Sequence, residues 1–442
     1  MKYYSDENTF KSQEPGILEY IYVVILVLYA GRSLMFFESP LIESNPIGVI
    51  LPVLMSGILA FKWRLFFSIE FYMLLFFFAL YFIAVSIKYY EIRPTFLLTY
   101  YFLFFTGYTA VRVLKFNLFL IYEKVVYFLA AISLVLWGIQ VLAGGDFLYN
   151  IIGRISFLDQ ISFVSGRGLS TIFYVIQSYE TTLINGHTIS RNCGFAWEPG
   201  SFSSYLALAI FINLFLAAKD SKQKKRFWVL LIALFSTMST TGYFLFSVII
   251  IYYFFNKEFK KVVLMLPALA GGLILLFSLP FMKDKIVELV KEPSRIDFIV
   301  WDSFGRESAT TPQRFSSLLI TLIDFKNNPV LGIAAHADEQ WTRQAGSNIS
   351  TVSGIGNLLA QFGIVGFIPF LIFSIKSSIT FSKYFNYKGR FLLFFIILGI
   401  SVSYSILFIP LIMCFWMFSL FEPDILSQKE ATNRVIVSEA GF

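Results

Sequence analysis

The sequence predicts an all-α polytopic membrane protein with about 12 transmembrane helices and two long outer loops that contain short amphipathic helices. Of the 442 residues, 57% are hydrophobic, 53 are Phe and only 14% are charged, which is more apolar surface than a soluble core absorbs. Apolar runs of roughly 20 residues, the length that crosses a bilayer, recur along the whole chain. In lipid such runs form helices, because their backbone groups have no other hydrogen-bond partners.

The first predicted helix is expected to be retained in the mature protein. It follows the segment "MKYYSDENTFKSQEPG", which is polar and acidic and lacks the basic region and cleavage site of a secretory signal. We expect spans near residues 17–37, 46–61, 66–87, 95–111, 122–143, 201–218, 227–239, 241–255, 262–281, 354–375, 391–406 and 407–421. The pair between Arg226 and Asn256 is alternatively one tilted helix, which would reverse the orientation of everything downstream.

Basic clusters assign the two sides of the membrane. Alternating the spans from a cytoplasmic N-terminus places "KWR", "RVLK", "KDSKQKKR", "NKEFKK" and "KSSITFSKYFNYKGR" on one side, as the positive-inside rule requires. The short loops opposite then contain only Arg32, Lys88 and Arg93 as basic residues. Both termini are therefore expected in the cytoplasm. The bases behind the net charge of +7 lie mostly in these clusters, where they attract anionic lipid headgroups. No nucleic acid is therefore expected as a partner.

This topology divides the chain into six parts. They are N-terminal transmembrane helices (1–143, about five spans), a first long periplasmic loop (144–200), central transmembrane helices (201–281), a large periplasmic loop (282–353), C-terminal transmembrane helices (354–421) and a cytoplasmic tail (422–442). Loops of this length are more often functional than idle. Helical spacing of apolar residues, for example Ile286, Val287, Leu289 and Val290, predicts interfacial helices in the second loop.

The stretch "RNCGFAWEPGSF" (191–202) is the first candidate for a functional site. Pro199 suits the first turn of a helix, and the residue before a proline avoids helical backbone, so Glu198 is expected just outside the start of the next span. A structural interpretation is that Glu198 complements the helix dipole while Arg191 extends to the lipid headgroups. Glutamate is not a preferred cap, however, and Gly194 and Gly200 leave the backbone adaptable on both sides, which favours function.

Three further stretches strengthen this interpretation. The segment "STMSTTGYF" (236–244) places five hydroxyl residues between two apolar runs. Such a break is tolerated where it is buried in protein or lines a wet cavity, although a turn whose hydroxyls bond back to the helix is an alternative. Arg314 begins an amphipathic pattern that ends at Asn328-Pro329 and is followed by Gly332. Residues 346–367 form a hydroxyl-rich loop that enters a glycine-dotted helix.

Together these stretches resemble the bacterial O-antigen polymerase family, which shares an architecture with the O-antigen ligases. The likeness lies in an R-x-x-G-x-x-x-E-P pattern that starts at Arg191, in "STTG", in the R…NPxxG run from Arg314, and in "GNLLAQFGIVG". Glu-Pro favours the polymerase branch, because ligases more usually carry Asn-Pro there. Ligase-like members also have a histidine where this chain reads Ser-Thr-Val-Ser at residues 350–353, and His336, well upstream, is not given that role.

The resemblance implies an inverting, metal-independent glycosyltransferase without a cofactor. Its expected substrate is an undecaprenyl-diphosphate-linked oligosaccharide, whose repeat units it would polymerise into O-antigen or a similar surface polysaccharide during lipopolysaccharide biosynthesis. The resemblance also implies a multi-pass protein of the bacterial inner membrane with its active site facing the periplasm. A polysaccharide chain-length regulator is a further expected partner.

The expected catalytic residues are Arg191, Glu198 and Arg314. The two guanidinium groups would hold the diphosphate leaving group, since they are permanently charged and bidentate toward phosphate. Glu198 would accept the proton of the attacking sugar hydroxyl. Orienting two large substrates supplies up to about 7–11 kcal/mol, so losing Glu198 is expected to cost less than losing Arg191. The candidate substrate-binding residues are Gly194, Trp197, Thr240, Thr241 and Asn348, and no metal ligand is expected.

Three other functions stay open. An O-antigen ligase would use the same donor but transfer the finished chain to lipid A core. A transporter or flippase of lipid-linked sugars would place charges at the bilayer midplane and show repeated halves, whereas here the informative charges gather at one surface. An inactive scaffold for an assembly complex is the third. Glu70 falls inside the third apolar run, and pairing with a base such as Arg112 is expected more than a transport role.

Overall fold

The computed structural model describes residues 15–32, 46–153, 163–165, 168–170, 173–177, 181–184, 187–217, 221–255, 296–305 and 310–422. Within these ranges the chain is predominantly helical, and four helices are long and apolar enough to cross a membrane. The prediction of a helical membrane protein is therefore confirmed at this level. The count of about 12 spans stays a prediction, and the predicted span 262–281 and the amphipathic pattern near residue 286 lie outside the described residues.

The helices are numbered here in chain order. They are α1 (Ile17–Ala30), α2 (Pro46–Lys62), α3 (Ile69–Tyr89), α4 (Pro94–Leu114), α5 (Asn117–Ala143), α6 (Gly145–Gly153), α7 (Pro199–Phe215), α8 (Ser221–Ser236), α9 (Thr240–Phe255), α10 (Ile296–Asp302), α11 (Arg314–Asn327), α12 (Trp341–Gln344), α13 (Gly354–Tyr384), α14 (Leu392–Ser403), α15 (Pro410–Trp416) and α16 (Phe418–Phe421). The four long apolar helices are α3, α4, α5 and α13.

The first long loop contains strands as well as a helix, whereas the sequence predicted only short helices there. Strands β1 (Phe163–Ser165), β2 (Gly168–Ser170) and β3 (Val175–Gln177) form an antiparallel sheet in that order. Strands β4 (Thr181–Ile184) and β5 (His187–Ser190) form a separate antiparallel pair. Thr, Ile and Val, which favour strands, recur in these segments, so local preference explains the difference.

Residues 221–255 form two helices that fold back on each other. The rings of Phe235 in α8 and Phe246 in α9 lie 6.1 Å apart, whereas one straight helix would separate them by about 16 Å. Met238 adopts a positive φ of 46° in the turn between them. The alternative of one tilted helix is therefore wrong. The Thr237 hydroxyl donates to the Leu234 carbonyl at 2.7 Å, as the interpretation of a hydroxyl-rich turn anticipated.

Helix α7 lies at the centre of the bundle and contacts α5, α8 and α9. Residues 202–213 are all buried, so protein surrounds this part of the helix on every side. The position of its first turn, at Pro199, is therefore fixed by the packing of the turns that follow. The predicted span 407–421 is instead two short buried helices, α15 and α16, of 7 and 4 residues.

Three buried carboxylates pair with bases of the predicted cytoplasmic clusters. The ion pairs join Lys62 to Glu19 at 2.7 Å, Arg226 to Glu123 at 2.9 Å, and Arg112 to Glu422 at 2.7 Å. The expected pairing of Glu70 with Arg112 is therefore wrong. Glu70 lies in the first turn of α3, which begins at Ile69, where a carboxylate complements the helix dipole.

Helix α13 is broken at Gly363, whose φ of 60° and ψ of −156° are not helical. The segment that follows α11 fills the break. The backbone N–H of Ala334 donates to the Gln361 carbonyl at 2.7 Å, and the N–H of Ile364 donates to the Pro329 carbonyl at 2.9 Å. Backbone groups that the break removes from the helix ladder are thus paired with another part of the chain.

Glycine is required on both sides of this junction. Gly332 has a φ of 66°, and a Cβ there would lie 2.4 Å from the backbone of Gln361. A Cβ on Gly363 would lie 2.2 Å from the Val330 carbonyl oxygen. The NPxxG run and the "GNLLAQFGIVG" stretch, identified separately in the sequence, therefore form one interlocked unit.

Candidate functional site

An open cleft of about 100 Å³ lies where four helix ends meet. It is bordered by the end of α1, the start of α7, the start of α13 and the segment after α14, and we call it the outer cleft. Its lining residues are Ala30, Gly31, Arg32, Trp197, Glu198, Ser201, Ser350, Thr351, Val352, Tyr404, Ser405 and Ile406. In the predicted topology these segments are all on the periplasmic side.

Glu198 stands at the start of α7, as the sequence predicted. Pro199 is the first helical residue, and Glu198 precedes it with extended backbone, φ −140° and ψ 154°. The Glu198 side chain does not cap a backbone N–H of α7. Instead, its Oε1 accepts a hydrogen bond from the Ser201 hydroxyl at 3.3 Å. The carboxylate is therefore available to the outer cleft while its backbone is fixed by the central helix.

Arg314, the first residue of α11, contacts this carboxylate although the two residues lie far apart in the sequence. Its Nη2 lies 3.5 Å from Glu198 Oε2 and donates to the Tyr404 hydroxyl at 2.5 Å. Its Nε donates to the Ser403 carbonyl at 3.2 Å, and its guanidinium stacks on the Tyr404 ring, 4.5 Å from the centroid. These contacts fix the direction of the guanidinium. The side chains remain 38% and 30% exposed for Arg314 and Glu198, so both are accessible to a ligand.

Gly200 permits this arrangement. A Cβ at Gly200 would lie 1.5 Å from the Tyr404 hydroxyl oxygen and 3.0 Å from Arg314 Nη2. Any side chain would therefore displace Tyr404 and, with it, a hydrogen bond that orients Arg314. The sequence indicated an adaptable backbone here, and the structure assigns the glycine to a close approach between α7 and Tyr404.

Arg191 lies beside the outer cleft rather than among its lining residues. Its Nε donates to the Thr237 carbonyl at 3.0 Å, in the turn between α8 and α9. The structure thus brings Glu198 and Arg314 into contact, while Arg191 is held against the turn between α8 and α9.

Asn192 holds the segment that carries Arg191 against α5 and α8, and sequence reasoning did not select it. It is fully buried, and its Nδ2 donates to the hydroxyls of Ser236 at 2.9 Å and Ser133 at 3.1 Å. Its Oδ1 accepts from the Gly194 backbone N–H at 2.9 Å. One amide therefore ties α5, α8 and the segment before α7 together, which explains why the arginine stretch and the hydroxyl-rich break meet.

The predicted substrate-binding residues have different positions. Within the described residues, Trp197 is the one of the five that lines the outer cleft. The buried Thr241 shares a hydrogen bond of 2.9 Å with the Ser403 hydroxyl, next to Tyr404, and Thr240 is half-buried at the start of α9.

The other two predicted binding residues lie elsewhere. The Asn348 carbonyl accepts from the Thr310 N–H at 2.9 Å within the second loop. Gly194 is buried with a φ of 52°, and a Cβ there would lie 2.4 Å from the Phe202 ring. The structure thus gives Gly194 a packing role, while substrate binding by Gly194 and Asn348 stays a prediction.

Arg32 and Tyr404 are two further site residues that sequence reasoning did not select. Arg32 lines the outer cleft, and its Nη2 donates to the Ser405 carbonyl at 3.3 Å. A signal was present, because Arg32 is one of few bases in the short loops that the sequence assigns to the periplasmic side, where the positive-inside rule disfavours bases. Tyr404 carries no such signal among the 24 tyrosines.

The other two outer bases anchor the second loop. Lys88 Nζ donates to Asn328 Oδ1 at 2.6 Å, and Arg93 Nη1 donates to the Ala335 carbonyl at 2.6 Å. His336 is buried here, with its ring stacked on Tyr89 at 4.4 Å. It does not line the outer cleft, whereas residues 350–352, at the position where ligase-like members have a histidine, do.

The fold and the site together define a helical membrane protein with a charged, half-open site at the ends of its helices. Residues 226–371 match the family model described as O-antigen ligase. This match supports the predicted resemblance to the O-antigen ligase and polymerase family, whose members are glycosyltransferase-like enzymes. The matched segment includes Arg314 and the interlocked glycines, while Arg191 and Glu198 precede it. No curated protein and no solved structure matches the chain.

Proposed function

We propose that this protein polymerises undecaprenyl-diphosphate-linked oligosaccharide repeat units into O-antigen or a similar polysaccharide. We place the reaction at the periplasmic face of the bacterial inner membrane, with both termini in the cytoplasm. The observation that carries the proposal is the contact of Glu198 with Arg314 beside the outer cleft, at 3.5 Å. A general base and a phosphate-binding group thus lie next to each other in a chain of a glycosyltransferase-like family.

In the proposed reaction, the growing chain on one undecaprenyl diphosphate is the donor. A hydroxyl of the repeat unit on a second carrier attacks the anomeric carbon of the donor from the side opposite the diphosphate. The new glycosidic bond forms as the bond to the diphosphate oxygen breaks, so the configuration inverts. The hydroxyl proton passes to Glu198, and the diphosphate leaves with its bonding electron pair.

Stabilising the leaving group requires positive charge near the outer cleft. Arg314 supplies a guanidinium, the group best suited to bidentate contact with phosphate oxygens. The start of α7 adds its partial positive charge, because the first backbone N–H groups of a helix have no partners inside it. Protonation of the leaving group is not needed, since a diphosphate is stable as an anion.

The ion pair suggests an order of events. Arg314 contacts Glu198, and a diphosphate would compete for the same guanidinium. As Arg314 turns toward phosphate, it releases the Glu198 carboxylate for contact with the acceptor hydroxyl. Donor binding would thereby prepare the base for the acceptor.

The ligase reaction is the second candidate, and the description of the matched family favours it. A ligase uses the same donor and leaving group but transfers the polymer to lipid A core. Two features of this chain support polymerisation instead. The start of α7 reads Glu-Pro, and hydroxyl residues occupy 350–351 of the outer cleft, where ligase-like members have a histidine nearby.

The deciding experiment is the lipopolysaccharide banding pattern of cells deleted for this gene. The deletion is complemented with wild type, Arg191→Ala, Glu198→Gln or Arg314→Ala, and with Arg64→Ala as a control at an exposed arginine after α2. Polymerisation predicts that the deletion leaves core with a single repeat, and that Arg314→Ala fails to restore the ladder at normal membrane levels. Bare core with polymer accumulating on undecaprenyl diphosphate would contradict the proposal and assign the ligase reaction.

A further inference from the structure

We propose that Arg32 is a second diphosphate-binding residue of the outer cleft, acting with Arg314 on the phosphates of the lipid-linked donor. This inference rests on the proposed function and names a residue of that same site.

Arg32 is held in place by the segment that carries Glu198. The backbone of Arg32 pairs with that of Ala196 in an antiparallel bridge, and the Trp197 N–H donates to the Gly31 carbonyl at 2.9 Å. The end of α1 and the residues before α7 are thus joined as one unit. An arginine side chain that leaves this unit has its origin fixed relative to Glu198.

The backbone conformation of Arg32 is unusual for its residue type. Its φ of 63° lies in the left-handed region that glycine adopts most readily. A non-glycine residue in this conformation is a reason to look for function in its side chain. Here the conformation ends α1 and leaves the guanidinium on the lining of the outer cleft.

The charge of the cleft lining favours an anionic ligand. Among the described residues, the lining contains one carboxylate, Glu198, and one guanidinium, Arg32. Glu198 already lies against Arg314, which approaches from outside the lining. The three groups together therefore carry a net positive charge. A diphosphate carries two or more negative charges, so two guanidinium groups match it better than one.

The hydrogen bonds of Arg32 leave its guanidinium able to turn toward a ligand. Its Nη2 donates to the Ser405 carbonyl at 3.3 Å, a long hydrogen bond to a neutral acceptor. Phosphate oxygens are stronger acceptors for a guanidinium than a carbonyl is. Ser405 directly follows Tyr404, which binds Arg314, so the two arginines approach one short segment from two different helices.

The test measures equilibrium binding by the full-length protein in nanodiscs of phosphatidylcholine. The probes are undecaprenyl diphosphate and undecaprenyl monophosphate. The variants are Arg32→Gly, which removes the guanidinium without straining the left-handed backbone, and Arg32→Lys, which keeps the charge. Arg64→Gly is the matched control, because Arg64 also has a positive φ, 45°, but follows α2 in a predicted cytoplasmic cluster.

We expect Arg32→Gly to weaken the binding of undecaprenyl diphosphate about 10- to 100-fold, as the loss of one charge-assisted contact predicts. Arg32→Lys should lose less, and Arg64→Gly should bind like the wild type. The preference of the wild type for diphosphate over monophosphate should narrow in Arg32→Gly. A structural role alone would not change that preference.

The outcomes that contradict the inference are distinct from those that contradict the proposed function. If the wild type binds undecaprenyl diphosphate and Arg32→Gly binds it equally well, Arg32 has no role in the site while the proposed function stands. If the wild type does not bind the probe, the proposed function fails and the inference fails with it. If phosphatidylglycerol added to the nanodisc displaces undecaprenyl diphosphate from Arg32 completely, Arg32 binds a lipid headgroup phosphate and the inference is wrong.

Discussion

The guanidinium of Arg314 lies 3.5 Å from the carboxylate of Glu198, although the two residues come from separate loops of the chain. Tyr404 accepts a hydrogen bond from the same guanidinium at 2.5 Å and stacks beneath it. A half-exposed ion pair of this kind adds little to stability, about 0–1 kcal/mol. We therefore propose that the pair matters for chemistry, because it sets the charge that each partner presents to a substrate.

Glu198→Gln is expected to separate catalysis from donor binding. The amide keeps a hydrogen-bond acceptor for Ser201 but cannot take a proton, so turnover should fall about 10²-fold, the lower end of general-base effects. Undecaprenyl diphosphate should bind as well as to the wild type or more tightly, because the amide no longer competes for Arg314. The measurements are polymerisation rates in proteoliposomes and binding in nanodiscs.

The contrasting variant is Arg314→Ala. It should weaken the binding of undecaprenyl diphosphate by about tenfold or more, because a charge-assisted contact is lost. Weaker donor binding by Glu198→Gln would show that Glu198 itself holds the donor, which contradicts the role assigned to it as a base.

Gly200→Ala is expected to reduce polymer formation strongly while the protein still inserts. The new methyl group would overlap the Tyr404 hydroxyl, at 1.5 Å, so Tyr404 must move and release Arg314. We expect at least a tenfold loss of polymer at equal membrane levels, because misplacing a positioned group is costly. Gly57→Ala is the control, since nothing lies within 4 Å of its Cβ, and it should retain the wild-type ladder. Full activity of Gly200→Ala would mean that Tyr404 does not orient Arg314.

Gly332→Ala and Gly363→Ala are expected to destabilise the fold. Both residues have positive φ, and both added Cβ atoms would meet backbone atoms, which move less readily than side chains. Each change should cost about 1–3 kcal/mol and lower the apparent Tm of the purified protein in detergent. Gly138→Ala in α5, with open space at its Cβ, should leave the Tm unchanged or raise it slightly. Equal Tm values for all three variants would show that the break in α13 is not fixed by these contacts.

Composition and local patterns predict the helical class, the start of α7 at Pro199 and the break between α8 and α9, because each depends on residues close in sequence. The sequence also identifies Glu198 and Arg314 as candidates, because a charged residue beside an apolar run is unusual. That the two make contact depends on how α7, α11 and α14 pack. No local signal contains that information.

The residues missed by sequence reasoning share one property. Asn192, Tyr404 and Arg32 gain their roles from partners in other helices, so their types are informative only once the fold is known. The break in α13 is a similar case. Its two glycines are visible in the sequence, but their pairing joins the segment after α11 to the middle of α13, and only the backbone contacts show it.

Asp324 is expected to make stability depend on pH. It is buried, 3% exposed, in the last turn of α11, and its Oδ1 accepts from the Trp341 N–H at 2.9 Å. Burial raises the pKa of Asp324 from 3.8 to about 6, and the hydrogen bond from Trp341 offsets this only partly. The folded protein therefore binds more protons than the unfolded chain between about pH 4 and 6. Stability should fall as pH rises through this window and stay lower above it.

Asp324→Asn should remove this dependence, because the amide keeps the acceptor for Trp341 and has no charge to bury. A difference of about two pKa units corresponds to at most about 3 kcal/mol, so Asp324→Asn should raise the apparent Tm at neutral pH and match the wild type near pH 4. The check is thermal unfolding of the purified proteins from pH 4 to 8. Asp338→Asn, at a carboxylate that is 79% exposed, is the control and should run parallel to the wild type. A wild-type Tm that rises between pH 4 and 6 while that of Asp324→Asn stays flat would mean that the Asp324 carboxylate is stabilised as an anion, so that the hydrogen bond from Trp341 outweighs burial.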